Sequence, residues 1–360
     1  MKIAIIGAGP AGLACAKECE TLGVIPDVFE RDHSVGWVWP SMVLWPDLYT
    51  RNWGDIRKVL REEYGIDITP MATCKTLAMK SPGHKATIKG NIGFLVARGK
   101  GVESIENQML RSLRKTTVHF NRPANFRELS QKYDYVVVAS GKDTEAAELG
   151  VWNDLGQVTI IGGVALGNYD HESTTLFFNK DYAGSGYARL SPFSPTQAIV
   201  GLYIINHEPF AADRLFSKFL KQENLEHLEF LYVIRPPVFP TGRVTKFRVG
   251  NVLLAGRSAG LTEKLLGVGG ISAIISGVLA ARAIIKGLDY DSLMKPLQDH
   301  IDNISSFRKV IENFENKDYD RLLMLLDSPG IKQAVYNTGI NFMDMAGSIL
   351  KKLRKDEGER

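Results

Sequence analysis

The stretch from Lys2 to Glu30 constrains this chain most. A short strand of buried type, Lys2 to Ile6, runs straight into Gly7-Ala8-Gly9-Pro10-Ala11-Gly12, and a helical pattern over Leu13 to Leu22 follows. A second strand, Pro26 to Phe29, ends in Glu30. This order predicts the opening βαβ unit of a doubly wound α/β domain built around a dinucleotide. Gly7 makes the tight turn, Gly9 lets the backbone approach a pyrophosphate, and Gly12 allows close packing of helix on strand. Pro10 and Ala11 complete the loop, where the free N–H groups of the helix start face the phosphates. Glu30, with Arg31 beside it, stands where a carboxylate holds the ribose hydroxyls of an adenosine.

Composition narrows the class further. An apolar share of 44% in 360 residues is enough to bury a sizeable core, and the length suggests two closely linked units. The balance of 44 Lys+Arg against 40 Asp+Glu creates no general field for a polyanion, so nucleic acid is not an expected partner. Three cysteines make no disulfide framework, and Cys15 and Cys19 have no further ligand nearby, so no metal site is expected. The apolar run Ile3 to Ile6 is too short for a signal segment. Ile271 to Ile285 contains Gly277 and Arg282 and falls short of the ~20 residues of a membrane span, so a cytoplasmic protein is expected, at most touching a membrane surface.

Glycines recur far from the first motif. Tyr133 to Val138 reads as a buried strand that enters the small-residue turn Ala139-Ser140-Gly141. Gly250 to Gly260 reads as a strand and a sharp turn through Gly256 and Arg257, followed by Gly267-Val268-Gly269-Gly270 and an apolar helix from Ile271. A simple NAD-binding domain is complete within ~150 residues and has no use for a second glycine-marked helix start so late. Two remote segments serving one nucleotide site point to a flavin gripped along its length.

Taken together, Gly7 to Gly12, Val138-Ala-Ser-Gly141, Leu254-Ala-Gly256 and Gly267-Val-Gly-Gly-Ile-Ser-Ala-Ile-Ile-Ser-Gly-Val-Leu-Ala-Ala281 resemble the geranylgeranyl reductase family. That family belongs to the larger flavoprotein group with the para-hydroxybenzoate hydroxylase fold. The resemblance spans roughly residues 1 to 330, with the two ends more specific than the middle. It implies a Rossmann-like FAD-binding domain, an inserted antiparallel-sheet substrate domain and a C-terminal helical region. It also implies FAD contacts at Ala139, Gly141, Gly256, Gly267, Gly269, Gly270 and Ile271, besides the first loop. Arg98, before the amphipathic helix pattern Val102 to Leu113, matches a family arginine that reaches the ribityl or phosphate groups. Gly186-Tyr187-Ala-Arg189-Leu-Ser-Pro192 is similar to the family's Gly-Tyr-x-Trp-x-x-Pro substrate strand, which makes Tyr187, Arg189 and Pro192 candidate substrate residues.

Two positions depart from the family pattern. Arg257 stands where the family has an aspartate, and an arginine cannot accept hydrogen bonds, though it can donate to phosphate. Arg189 replaces an aromatic residue, which makes that wall more polar and suits an anionic group on the substrate. The alternative for Arg189 is a protein carboxylate or solvent.

A second nucleotide site at Val158 to Gly167 would require a helix after Gly162 and Gly163. Turn chemistry and strand patterns follow instead, over 175–178, 187–190 and 197–205, so this interval reads as an antiparallel sheet. The expected division is an FAD domain from 1–154 and 235–286, a substrate domain over 155–234 with 54–95 as a candidate addition, and helices over 287–360. Trp37, Trp39, Trp45 and Trp53 cluster within 17 residues, which fits either the lining of an apolar tunnel, with Trp37 and Trp39 as substrate residues, or packing under an irregular segment. In the last predicted helix, Ile331 to Leu353, an apolar stripe stands ahead of Lys351, Lys352, Arg354 and Lys355, which suits either membrane contact or packing on its own domain.

The expected chemistry is reduction of a carbon–carbon double bond in an isoprenoid or other apolar substrate, with NAD(P)H or ferredoxin as the external electron donor. The candidate proton donors are His33, His84, His171 and Tyr187. A flavin monooxygenase of the same fold and a flavin-binding protein without turnover are the alternatives.

Overall fold

The computed structural model describes residues 1–47, 54–205, 211–262, 267 and 269–329. Two sheets organise them. The smaller has six strands in the spatial order Arg248–Val249, Val252–Leu254, Tyr135–Val138, Ile3–Ile6, Asp27–Phe29, Val118–His119. All neighbours are parallel except the first pair. Ile3, Ala4, Ile5 and Val136 to Val138 are fully buried, as their unbroken apolar runs require in a sheet covered on both faces.

The helix Pro10–Thr21 starts on a proline, whose missing N–H would have had no partner there. It packs along the helix Gly270–Lys286, which is buried on most of its surface and ends at Gly287 in the left-handed conformation. That contact brings the two glycine-marked loops, remote in sequence, to one end of the sheet. Tyr290 locks the arrangement: its hydroxyl donates to the Leu254 carbonyl at 2.8 Å.

The larger sheet runs Glu229–Ile234, Trp152–Leu166, Gln197–Ile205, Tyr187–Pro192, Ser173–Phe177, Ala72–Lys80, Lys85–Arg98, Ser41–Pro46, and Phe239–Val244 pairs with the start of Trp152–Leu166. Its pairs are antiparallel except Ala72–Lys80 with Ser173–Phe177. The sheet therefore draws strands from 41–46, 72–98 and 239–244 as well as from the 155–234 interval. Gly162 and Gly163 lie within a strand, where a Cβ on Gly163 would meet the Tyr232 carbonyl oxygen at 1.7 Å.

Alternation along the strands gives the sheet two faces. Ala188, Val200 and Leu202 pack beneath the helix Ala212–Gln222 with Phe216 and Phe219. Tyr187, Arg189 and Tyr203 face the other way, toward the nucleotide-type domain.

The helix Asn316–Asp327 begins with a reciprocal cap between Glu315 and Asp318, a few residues before the expected start. Asp320 fastens it to the sheet by accepting from Ser81 Oγ at 2.5 Å and Gly83 N at 2.7 Å. No helix among the described residues is long and apolar enough to cross a membrane. The expected helix over 331–353 and its basic end lie outside the described residues, as does Trp53.

Candidate functional site

A groove of about 460 Å³ opens where the two glycine-marked loops meet. Gly7, Gly9, Pro10, Ala11, Glu30, Arg31, Arg98, Ala139, Gly141, Gly256, Arg257, Gly267 and Gly269 all line it. Gly12, Gly270 and Ile271 are buried and are not part of its lining. Gly12 is a packing position: a Cβ there would stand 1.9 Å from the Gly7 carbonyl oxygen. A Cβ on Gly9, by contrast, would project into open space. Gly9 also caps the first helix without a side-chain hydrogen bond, which leaves the N–H groups of that helix start to a ligand.

Glu30 is fixed before any ligand arrives. Its Oε2 accepts from Ala8 N at 2.8 Å and its Oε1 from Asp32 N at 2.9 Å. A carboxylate offers about four acceptor positions, so two remain for hydroxyl groups in the groove. On the opposite flank Ser258, a residue the sequence did not single out, accepts from Gly141 N at 2.9 Å and joins Ser140 Oγ at 3.2 Å. This ties the two remote turns to each other. Gly256 N donates to Ser276 Oγ at 2.9 Å, holding the second turn against its helix.

A smaller cavity of about 80 Å³ adjoins the groove, lined by Trp37, Trp39, Ser41, Val43, Val158, Ile160, Tyr187, Arg189, Tyr203, Ile205 and Phe239 among others. Pro192, at the end of the Tyr187 strand, is in neither lining. The tryptophan cluster divides: Trp37 and Trp39 face the cavity, while Trp45 is buried in the core of the first domain. Trp39 lies over a cross-strand pair of glycines, Gly162 and Gly201, whose missing side chains leave room for its indole. Of the candidate proton donors, only Tyr187 lines the cavity. Tyr203, its direct partner across the strands, stacks on it with ring centroids 4.7 Å apart.

Arg189 is 7% exposed, and its Nη2 donates to the Tyr203 hydroxyl at 2.8 Å. Trp39 Nε1 donates to the same oxygen at 3.3 Å. Arg189 meets no carboxylate among the described residues, and its Nε is buried without a hydrogen-bond partner.

Arg98, Glu106 and Arg257 stand on the wall between groove and cavity. Arg98 Nε donates to Glu106 Oε1 at 2.7 Å. The Arg257 guanidinium sits against two rings that meet edge to face, 4.5 Å from the Phe239 centroid and 5.2 Å from that of Trp37. Burial, and then the neighbouring Arg98 charge, pull its pKa down to about 10, so it remains a cation at neutral pH.

No family model matches the sequence. Solved structures do match. A geranylgeranyl bacteriochlorophyll reductase-like protein from Thermoplasma acidophilum superposes with a TM-score of 0.72 at 14% identity, over 98% of both chains. The flavin-dependent brominase Bmp2 gives 0.66 at 15% identity over 100% of both chains. A mutant of the halogenase PltM, solved in complex with FAD, gives 0.63 at 12% identity over 93% of this chain and 84% of that one. The chain thus has the flavoprotein fold shared by this reductase-like protein and the flavin-dependent halogenases.

Proposed function

We propose that the protein is an FAD-dependent oxidoreductase that reduces carbon–carbon double bonds of an apolar substrate, with isoprenoids as the first class to test. One observation carries this reading. The groove and the aromatic cavity share a wall made of Trp37, Arg98, Glu106, Phe239, Arg257 and Gly267, so the two spaces meet along a single layer of side chains.

The groove suits FAD. It has bare backbone on two flanks, a helix start without a side-chain cap, and a fixed carboxylate at Glu30. When bound, and once reduced by an external donor such as NAD(P)H or ferredoxin, FAD supplies the hydride.

The chain's own residues supply the rest. Val43, Val158, Ile160 and Ile205 make the cavity poor in water and suited to an alkene. Hydride addition to one carbon leaves the other in need of a proton. Tyr203 is the residue to supply it, because its oxygen already accepts from Arg189 and Trp39 and its own hydrogen must point elsewhere. Tyr187 holds the donor ring in place by stacking.

The reductase-like neighbour supports reduction, while the halogenase neighbours keep oxygen-dependent chemistry as the competing outcome. The test is anaerobic mixing of the reduced, FAD-loaded protein with a polyprenyl alkene, with products read by mass. Reoxidation of the protein together with a product two hydrogens heavier is expected. Substrate-coupled oxygen uptake with a hydroxylated or halogenated product, and no anaerobic turnover, would contradict the reading.

A further inference from the structure

We propose that Arg189, on the cavity wall beside Tyr203, is the seat for an anionic oxygen group, a carboxylate or phosphate carried by an otherwise apolar ligand. Arg189 is a full positive charge, 93% buried by its 7% exposure, with no carboxylate partner among the described residues. Burying a cation in this way is costly unless something negative accompanies it. Among the described residues its guanidinium meets only a neutral phenol, by an Nη2 hydrogen bond to the Tyr203 hydroxyl and by lying 5.3 Å from the centre of the same ring, which leaves Nε as a buried donor without an acceptor.

The register leaves Arg189 without a cross-strand acceptor at this point. The residues opposite Arg189 on its two neighbouring strands are Gly201 and Leu176, neither of which offers the guanidinium a polar partner, and Arg189 itself lines the cavity. Trp39 reaches over Gly201 and donates its Nε1–H to the Tyr203 oxygen, which with Arg189 fills the acceptor side of that hydroxyl. Arg257 supplies a second cation on the lining of the same cavity. Among the lining side chains Arg189 and Arg257 are cations, the Ser41, Tyr187 and Tyr203 hydroxyls can donate, and the one carboxylate, Glu106, is already engaged by Arg98. An anion is the ligand chemistry that completes this set, and a guanidinium binds planar or tetrahedral oxyanions with matched geometry.

This inference rests on reading the cavity as the substrate site, and its test is separable from that of the reaction. Calorimetric titration of the FAD-loaded full chain with hexanoate, hexyl phosphate and hexanol compares two anions with a neutral chain of the same length. At least one anion is expected to bind about tenfold or more tightly than hexanol, which corresponds to about 1.4 kcal/mol. Arg189→Met is expected to abolish that preference and leave hexanol affinity and FAD content unchanged. The stronger of the two anions identifies the head group. Equal affinity for all three on the native chain overturns the inference, and that comparison stands even where Arg189→Met fails to fold. A preference that survives Arg189→Met but is lost in Arg257→Met overturns it as well. Anion binding through Arg189 without alkene turnover would remove the reductase reading alone, whereas turnover of neutral alkenes with no anion preference would remove this inference alone.

Discussion

Arg98 Nε donates to Glu106 Oε1 at 2.7 Å on the wall that separates the groove from the cavity, and Glu106 is 1% exposed there. The carboxylate is the negative group beside two cations, Arg98 and Arg257. Glu106→Gln keeps the shape and removes the charge, leaving two arginines facing each other in a site of low dielectric. A loss of ~1–3 kcal/mol is expected, read as a lower Tm, because a hydrogen bond to a buried charge is weakened and its partner left uncompensated. FAD affinity is expected to fall in the same variant, since Arg98 would no longer be held at the groove.

Arg257→Met is expected to act in the opposite direction on stability. Its pKa is lowered to about 10, because burial first and the Arg98 charge second disfavour the charged form. A linear apolar side chain against the same two rings is expected to stabilise the flavin-free protein by on the order of 1 kcal/mol. The same change removes a donor from the groove, so FAD binding is expected to weaken. Thermal melts with and without FAD check both directions.

How much of this was legible from the sequence depends on the range of the interaction. The first glycine loop and its strands are local, and each residue's task follows from its neighbours along the chain. The second glycine segment is remote, yet it carries its own strand and helix start, so its pattern was also readable. The extent of the large sheet was not: Ser41–Pro46 and Lys85–Arg98 pair with each other across about fifty residues, and nothing local announces that pairing. Tyr203 was passed over as a functional residue because its meaning lies in what crosses from other strands: Tyr187 stacked on it and the hydrogen bonds from Arg189 and Trp39. The signal was present in a weak form, since the hairpin joining 187–192 to 197–205 sets Tyr187 opposite Tyr203 once its turn is placed. Likewise, Gly162 reads as a turn or phosphate-loop glycine in isolation, and only the register with Gly201 shows it as part of the seat for Trp39.

That seat gives a specific expectation. A Cβ on Gly201 would lie 2.9 Å from Trp39 Cζ2, close enough to push the indole off the sheet. Gly201→Ala is expected to cost ~1–3 kcal/mol as an overpacking change and to break the Trp39 hydrogen bond to Tyr203. Turnover is expected to fall more than FAD content does. Equal loss of both would place Trp39 in the cofactor site instead of the cavity.

Glu20 provides the acid limit of stability in the first domain. Its carboxylate accepts from the backbone N–H groups of Arg114, Lys115 and Thr116, joining the first helix to the segment before Val118. Burial pushes its pKa up, but those three donors outweigh it and lower the value from 4.5 to about 2. A carboxylate lowered in this way stabilises the fold above its unfolded pKa, and the contribution disappears as pH falls through its folded one. The stability difference between the native chain and Glu20→Gln is therefore expected to be largest near neutral pH and to shrink between 4.5 and about 2. Denaturant melts across that range check the sign. Solvent contact at Glu20 keeps the difference modest, on the order of 1 kcal/mol.

The two glycine-marked loops are expected to hold one FAD between them. The most direct measurement is reconstitution of the full chain with flavins, followed by the stoichiometry and mass of the retained cofactor. One FAD per chain is the expected result, lost in a Gly9→Glu variant whose side chain would occupy the open space over the helix start. A chain that retains no FAD after reconstitution, or that binds it equally well with Gly9→Glu, would contradict the account.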